Sequence, residues 1–182
     1  MDERFQRLID LILKWNRKIN ITGLKNPEQI RTKLIEDSLA PLKLGLLDSP
    51  AVDVGCGGGF PTLPLAIAEP NLKIFAVDSS RKKINFLRHA LRELELKNVE
   101  PIHDRIERCI HRLSEAKTFL SKAFMPPKEV IEFLTPLLPQ PAKLIIYSTP
   151  KEAEKFEGPA EIHPYTLSDG TKRCLIVLRI SS

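Results

Sequence analysis

The sequence predicts an α/β protein: a mostly parallel sheet covered by helices on both faces, ending in an antiparallel hairpin and preceded by a small helical appendage. Two observations lead to this prediction. After Pro50, short apolar runs alternate with longer amphipathic segments. At the carboxyl end this alternation stops, because strand-like segments at 160–167 and 172–180 flank the tight turn Ser168-Asp169-Gly170.

The amino-terminal part is predicted to form two helices. Over residues 5–19 the apolar side chains recur at three- and four-residue steps, which is the pattern of an amphipathic helix. Asn26-Pro27-Glu28 is a helix start, and the second helix is predicted to end before Pro41. We therefore separate an appendage, residues 1–48, from a domain, residues 49–182, and expect the two to form one compact unit.

Within the domain, five strands are predicted before the hairpin, which brings the sheet to seven strands. These five cover residues 51–54, 73–78, 99–103, 118–121 and 143–148. Helices are predicted between them at 60–68, 80–94, 105–113 and 127–138. The segment at 118–121 is the weakest strand signal, because it is short and lacks a clear alternation or apolar run.

Composition and cysteine usage exclude several classes of protein. A hydrophobic content of 42% and a charged content of 28% are those of an ordinary globular chain. Charged residues interrupt the first dozen positions, so no signal-peptide core is expected there, and no apolar run is long enough to span a membrane. Cys56, Cys109 and Cys174 form no Cys-x-x-Cys pair, and the histidines add no ligand pattern. We expect a cytoplasmic monomer without a metal.

The net charge of +5 is compatible with a polyanionic partner. The basic residues gather in two segments, one with Arg81, Lys82, Lys83, Arg88 and Arg92 and the other with Arg105, Arg108 and Arg112. Two interpretations stay open from charge alone: a surface that binds a polyanion, or two solvated helix faces.

The most informative segment is Asp53-Val54-Gly55-Cys56-Gly57-Gly58-Gly59-Phe60-Pro61. An apolar strand runs directly into glycines, which allow positive φ and the close approach of a ligand. Pro61 fits the first turn of the following helix, and the amides of the turn favour a negatively charged or strongly polar group. Taken alone, such a turn serves nicotinamide, flavin, nucleotide and S-adenosylmethionine sites alike.

Two aspartates narrow this choice. Asp78 ends the next strand, where a carboxylate can accept hydrogen bonds from the two hydroxyls of a ribose; its alternative role is a turn or helix cap. Asp53 precedes the glycines, where a carboxylate disfavours a pyrophosphate and favours an ammonium or sulfonium; its alternative role is to cap the loop amides. Together with the terminal hairpin, these residues favour S-adenosylmethionine over a dinucleotide.

Several motifs together resemble one known family. They are Asp-Val-Gly-x-Gly-x-Gly-Phe-Pro at 53–61, Val-Asp-Ser at 77–79, Arg-Lys-Lys-Ile-x-Phe-Leu at 81–87, Glu-Leu-x-Leu-Lys-Asn-Val at 93–99, Trp-Asn-x-Lys-Ile-Asn-Ile-Thr at 15–22 and Asp-Ser-Leu at 37–39. The chain is similar, over most of its length, to ribosomal RNA small subunit methyltransferase G, also called glucose-inhibited division protein B. The Phe-Pro after the glycines and the Trp-Asn segment are more specific than a general methyltransferase pattern.

The resemblance implies a Rossmann-like, class I S-adenosylmethionine-dependent methyltransferase fold. It implies transfer of a methyl group to N7 of one guanine in the 16S ribosomal RNA of the small ribosomal subunit, with S-adenosylhomocysteine as product. It assigns the cofactor to Gly55, Gly57, Phe60, Asp78, Ile106, Glu107 and Lys122. We assign RNA contacts to Arg81, Lys82, Lys83, Arg88 and Lys122.

This reaction requires few functional groups from the protein. Guanine N7 carries an unprotonated lone pair and the sulfonium is an activated donor, so no general base is needed. Positioning alone can lower the barrier by up to about 10 kcal/mol. We therefore predict no dedicated catalytic acid or base, and Lys122 is the candidate for a positioning role. The target base must be unstacked to enter the site.

Four positions depart from the family pattern. Lys122 stands in place of an arginine and lacks its planar fork. Lys33-Leu34 replaces an Arg-His pair, Tyr147-Ser148-Thr149-Pro150 replaces a Lys-Gly ending, and an aspartate is missing around Lys117-Thr118. These departures motivate one alternative, a weak or inactive protein that only binds ribosomal RNA. The modest net charge motivates another, a small-molecule methyltransferase.

Overall fold

The computed structural model describes residues 2–181, so positions 1 and 182 of the predicted segments lie outside the described residues. Within the described residues, seven strands form one sheet in the order β3-β2-β1-β4-β5-β7-β6. The strands are β1 (Ala51–Val54), β2 (Ile74–Asp78), β3 (Val99–His103), β4 (Thr118–Ser121), β5 (Ala142–Ser148), β6 (Glu161–Thr166) and β7 (Lys172–Ile180). Strands β1 to β5 pair in parallel, and β7 is antiparallel to both β5 and β6. The predicted fold class is confirmed.

The short strand predicted at 118–121 is present as β4 at the centre of the sheet. Thr118 lies opposite Ala51 of β1 on one side and opposite Lys143 of β5 on the other. All four residues of β4 are buried, because helices cover both faces of the sheet. A strand buried on both faces needs no alternation of polar and apolar residues, which explains its weak signal in the sequence.

Eight α-helices surround the sheet in the described residues. They are α1 (Glu3–Trp15), α2 (Pro27–Ile30), α3 (Ala40–Lys43), α4 (Thr62–Ala68), α5 (Arg81–Glu93), α6 (Ile106–Cys109), α7 (Pro127–Leu134) and α8 (Pro150–Glu154). A π-helical segment, Arg31–Glu36, continues α2, and a 3₁₀-helix, Ile110–Leu113, follows α6. Helix α8 is absent from the sequence prediction; its signal is the capping box formed by Thr149 and Glu152.

The first helix ends at Trp15, so the predicted extension to residue 19 is wrong. The side chain of Asn16 causes this early end. Its Oδ1 accepts hydrogen bonds from the amides of Ile21 and Thr22 at 2.9 and 3.1 Å, and its Nδ2 donates to the Thr22 carbonyl at 2.8 Å. These bonds compete with the helix and fold residues 16–22 into a loop.

The second helical region also differs from its prediction. Asn26 caps α2 as expected, since its Oδ1 accepts the Glu28 amide at 2.8 Å. The chain then turns through the π-helical segment and continues past Pro41, which lies in the first turn of α3, where its missing N–H is not required. The predicted end before Pro41 is therefore wrong. The later helices are all present but shorter than predicted, and α7 ends at Leu134 instead of 138.

Two apolar clusters cover the two faces of the sheet. Alternate residues of β1 contribute to them, with Ala51 in one cluster and Val52 and Val54 in the other. The first cluster includes Phe5 and its neighbours on α1, so the appendage shares the core of the domain. Among residues 2–181, none of the helices combines the length and apolar character that a bilayer crossing requires.

Three successive residues tie the appendage to the carboxyl-terminal half of the chain. The Glu36 carboxylate accepts the amide and the hydroxyl of Ser168 at 2.7 and 2.6 Å. The Asp37 carboxylate accepts the hydroxyl of Tyr165 at 2.5 Å, and the carbonyl after it, that of Ser38, accepts the hydroxyl of Tyr147 at 2.7 Å. These bonds hold the appendage over the carboxyl ends of the central strands.

Candidate active site

The predicted site residues meet at the carboxyl ends of the parallel strands. The glycine turn follows β1, Asp78 ends β2, and Lys122 follows β4. Strand β1 lies between β2 and β4, so the direction of strand progression reverses there. In open α/β sheets a ligand binds at this reversal point, because the loops after the two central strands diverge and leave a crevice.

Two clefts adjoin at this point. The first has a volume of about 220 Å³, and its wall includes Asp104, Ile106, Glu107 and Phe133. The second has a volume of about 380 Å³, and its wall includes Gly57, Phe60, Lys83 and Lys122 together with Ile21, Thr22 and Leu34 of the appendage. Gly55, Asp78 and Phe124 line both clefts. All seven residues predicted to bind a cofactor thus line one cleft or both.

The glycines are required by close packing on both sides of the turn. Gly55 has φ of +69°, and a Cβ atom there would lie 2.2 Å from Cδ2 of Phe124. A Cβ atom on Gly58 would lie 2.3 Å from Cγ2 of Ile21, which belongs to the loop held by Asn16. The turn is therefore enclosed between Phe124 and the appendage, and a larger residue at either position would separate them.

Most amides of the turn are already used inside the protein. The amide of Cys56 donates to the Val77 carbonyl at 2.9 Å, and the amide of Gly57 donates to Oδ2 of Asp78 at 2.8 Å. The amides of Gly59 and Phe60 both donate to the Cys56 carbonyl. The expectation that this turn offers its amides to a negatively charged group is wrong for these four residues. A pyrophosphate would find few donors here.

Asp78 connects the turn to the end of β2. Its Oδ2 accepts the Gly57 amide and its Oδ1 accepts the Ser80 amide, each at 2.8 Å. The side chain is half-buried and lines both clefts. Each carboxylate oxygen has two lone pairs, so one on each oxygen is still available to a ligand hydroxyl. The turn role is thus present in the structure, and it is compatible with binding of a ribose.

Asp53 does not face either cleft. It is fully buried, and its Oδ2 accepts the amide and hydroxyl of Thr62 at 3.3 and 2.7 Å. Burial raises the pKa of the Asp53 carboxyl to about 7, and Oδ1 has no hydrogen-bond partner among the described residues. Asp53 therefore bonds to Thr62, the first residue of α4, and not to the amides of the glycine turn. The expectation that Asp53 meets a cationic ligand is corrected.

Lys122 belongs to a buried polar cluster at the wall of the second cleft. Its ammonium bonds to Oδ2 of Asp37 and lies 5.0 Å from the centroid of the Tyr147 ring. Oδ1 of Asp37 accepts the hydroxyl of Tyr165. Burial and the charge of Asp37 raise the pKa values of both tyrosines above their usual range, so both hydroxyls stay protonated and act as donors.

The residues predicted to contact RNA are divided by the structure. Lys83 and Lys122 line the second cleft. Arg81, Lys82 and Arg88 are exposed on α5 and line neither cleft. Helix α5 starts at Arg81, three residues after Asp78, so its first residues lie beside the mouth of the site.

Sequence reasoning missed several residues of the site. Phe124 lies between the two clefts, and the preceding Ala123 has φ of +57°, an uncommon backbone conformation for a residue other than glycine. Asp37, Tyr147 and Tyr165 were not predicted as site residues either. The motif around Asp37 was visible in the sequence, but its contact with Lys122 was not.

No metal site is found in the part of the chain that the structure describes: residues 2–181 contain no cluster of three or more His, Cys, Asp or Glu side chains able to hold an ion.

Comparison with known protein families identifies the family of this chain. The family model described as rRNA small subunit methyltransferase G, GidB, matches residues 1–164. The chain belongs to the GidB family. The resemblance inferred from the glycine turn and the Trp-Asn segment is thereby confirmed, and the matched residues include both clefts.

Curated relatives of this GidB-family chain carry the same description. The ribosomal RNA small subunit methyltransferase G of Histophilus somni strain 2336 is 41% identical over 140 residues, which cover 75% of this chain and 63% of that protein. The protein of the same name from Streptococcus pneumoniae serotype 19F is 40% identical over 108 residues, covering 58% of this chain and 46% of that protein. The chain thus spans less than two thirds of the length of these relatives.

Solved structures confirm the fold. An rRNA methylase from Streptococcus thermophilus gives a TM-score of 0.52 at 21% identity, covering 74% of this chain and 88% of that one. A SAM-dependent methyltransferase from Aquifex aeolicus gives a TM-score of 0.56 at 18% identity, covering 84% and 93% of the two chains. At these identities the similarity establishes the Rossmann-like methyltransferase fold alone.

The buried carboxyl of Asp53 predicts a pH dependence of stability. The folded protein keeps this proton up to about pH 7, whereas a carboxyl of ordinary pKa, 3.8, releases it in the unfolded chain. Between these values the wild-type free energy of unfolding falls with rising pH, by up to about 1.4 kcal/mol per pH unit. Asp53→Asn is expected to remove this fall in the free energy of unfolding. Urea unfolding at several pH values between 4 and 8 measures it.

The exposed carboxylate of Asp10 on α1 provides the matched control. Asp10→Asn is expected to keep the wild-type slope over the same pH range. Parallel curves for Asp53→Asn and the wild type would contradict the raised pKa.

Proposed function

We propose that this chain binds S-adenosylmethionine and transfers its methyl group to N7 of a guanine in 16S ribosomal RNA. The observation that carries the proposal is the pair of adjoining clefts, which share Gly55 and Asp78 in a chain of the GidB family. One cleft suits a nucleoside and the other suits an amino-acid tail together with a target base. The second cleft alone lies within the usual range of small-molecule sites, about 300 to 1,000 Å³.

The residues present fit this cofactor. The lone pairs of Asp78 that are not used by Gly57 and Ser80 would accept the two ribose hydroxyls. The adenine would then occupy the first cleft, beside Ile106 and Glu107. The methionine part would follow the glycine turn into the second cleft. The scarcity of free amides in that turn also favours a ligand without phosphate groups.

The chain's contribution to the reaction is positioning. S-adenosylmethionine supplies an activated methyl group on a positively charged sulfur. Phe60 and Phe124 provide apolar walls of the second cleft, and Ile21, Thr22 and Leu34 provide a wall that comes from the appendage. A guanine held between these walls needs no base, because its N7 carries a free lone pair. Correct alignment of the reacting atoms supplies the rate enhancement.

The appendage, residues 1–48, and the domain, residues 49–182, act as one compact unit in this proposal. The loop held by Asn16 and the three residues tied to the carboxyl-terminal half place the appendage beside the proposed base pocket. We propose that this unit acts as a monomer in the cytoplasm.

Methyl transfer is tested with labelled S-adenosylmethionine and small ribosomal subunits whose 16S RNA lacks this methyl group. We expect label in the RNA, at a guanine that becomes sensitive to borohydride and aniline cleavage, as N7-methylated guanine is. Measurable binding of the cofactor without transfer of label to RNA would contradict the proposal and favour the alternative of a protein that only binds ribosomal RNA.

Asp78→Ala tests the ribose role. We expect weaker binding of S-adenosylmethionine by more than about 1 kcal/mol, since charge-assisted hydrogen bonds are lost. Isothermal titration calorimetry measures the change. Asp169→Ala removes an exposed carboxylate at the hairpin turn and should leave the affinity unchanged. Equal affinities for Asp78→Ala and the wild type would refute the assignment.

The exposed residues of α5 are proposed to contact RNA phosphates. Replacing Arg81, Lys82 and Arg88 together by alanine is expected to weaken RNA binding and to lower the slope of log affinity against log salt by about 2 to 3. Lys83 is left in place because it also lines the second cleft. Binding is measured by filter retention or fluorescence anisotropy at several salt concentrations.

A control with the same change of charge is available at the opposite end of the sheet. Lys73, Lys97 and Lys117 are exposed and precede strands β2, β3 and β4. Alanine at these three positions should reduce RNA binding much less. Similar salt slopes for the two triple variants would indicate that α5 is merely a solvated face.

A further inference from the structure

A buried ion pair lies at the wall of the second cleft, and the methyl-transfer scheme does not explain it. Lys122 exposes 13% of its side chain to the cleft, and its partner Asp37 exposes 3%. Taking both charges out of water is costly, and the pair persists only where further hydrogen bonds satisfy it. Those bonds are present: the hydroxyl of Tyr165 donates to Asp37, and the Tyr147 ring lies beneath the ammonium.

The four side chains come from four separate parts of the chain. Asp37 directly follows the π-helical segment, Lys122 follows β4, Tyr147 lies on β5, and Tyr165 lies on β6. The Tyr147 hydroxyl donates to the Ser38 carbonyl, so it holds the backbone beside Asp37. The cluster therefore fixes the carboxylate from two sides and keeps the ammonium paired.

The charge of the proposed cofactor provides a reason for the pairing of Lys122 with Asp37. The sulfonium of S-adenosylmethionine is positive, and it would share the second cleft with Lys122 and with Lys83, which is half-buried. In a site of low dielectric, an unpaired ammonium would repel the sulfonium strongly. S-adenosylhomocysteine has a neutral sulfur and would not experience this repulsion. An unpaired lysine would therefore favour the product over the substrate.

We propose that Asp37 is a positioning residue that keeps Lys122 as a neutral pair, so that the second cleft accepts a sulfonium. This inference rests on the proposed binding of S-adenosylmethionine. It gives Lys122 a role other than contacting RNA phosphates, because its ammonium is engaged with Asp37 and lies over Tyr147. It also explains why a lysine, which pairs as a point charge, can occupy this position.

The test is a double-mutant cycle on the ratio of two dissociation constants, that of S-adenosylmethionine to that of S-adenosylhomocysteine, measured by calorimetry at pH 8. Asp37→Asn leaves the ammonium unpaired and should raise the ratio by about tenfold. Lys122→Met leaves the carboxylate unpaired and should lower it. The double variant, Asp37→Asn with Lys122→Met, should return the ratio to the wild-type value.

The ratio separates an electrostatic role from a structural one, because a distorted pocket weakens both ligands alike. Glu36→Gln is the matched control: it loosens the adjacent tie to Ser168 but leaves the ion pair intact, so the ratio should not change. If Asp37→Asn does not fold, Lys122→Met tests the inference alone: a lower ratio supports it, and an unchanged ratio contradicts it.

The outcomes distinguish this inference from the proposed function. Wild-type protein that binds neither ligand would overturn the proposed function, and this inference with it. Two outcomes would overturn the inference alone, provided that both ligands bind. One is an unchanged ratio in Asp37→Asn. The other is a raised ratio in Asp37→Asn that stays raised in the double variant with Lys122→Met.

Discussion

The hydrogen bond from the Gly57 amide to the Asp78 carboxylate is the contact on which the site depends. It joins the loop after β1 to the end of β2, and the second oxygen of Asp78 holds the start of α5 through Ser80. Both clefts open from this junction. The bond also uses an amide that a phosphate would otherwise bind. One carboxylate thus shapes the pocket, reduces its affinity for phosphate groups and keeps acceptor capacity for hydroxyls.

The appendage completes this pocket instead of merely preceding it. Asn16 folds the loop that places Ile21 against Gly58, and only a glycine leaves room for that contact. Further along, residues 36–38 bond to Tyr147, Tyr165 and Ser168 of the carboxyl-terminal half. A change in either anchor would move a wall of the second cleft without touching the glycine turn.

Burial and pairing reduce the net charge at the site. Asp53 is buried behind the glycine turn without a cationic partner. Its raised pKa favours the neutral, protonated form, which is less costly to bury than a carboxylate. The Lys122 ammonium is balanced by Asp37, and both tyrosines around the pair stay protonated. Asp78 remains as a carboxylate that lines both clefts. In the proposed function, this distribution is compatible with a sulfonium and with the positive charge that guanine acquires when its N7 is methylated.

The sequence by itself determined the α/β class, the strand segments along the chain, the hairpin and the residues of the glycine turn. These features follow from local patterns: apolar runs, caps such as Asn26, and glycines at positions of positive φ. It also placed Asp78, since that residue ends a strand beside the turn. The tertiary structure decided the rest. Lys122 bonds to Asp37 across 85 positions, and Asp37 to Tyr165 across 128. No local pattern encodes such pairs, because each exists only after the sheet has brought distant strands together. For the same reason, only the tertiary structure shows that Asp53 is buried and bonds to Thr62.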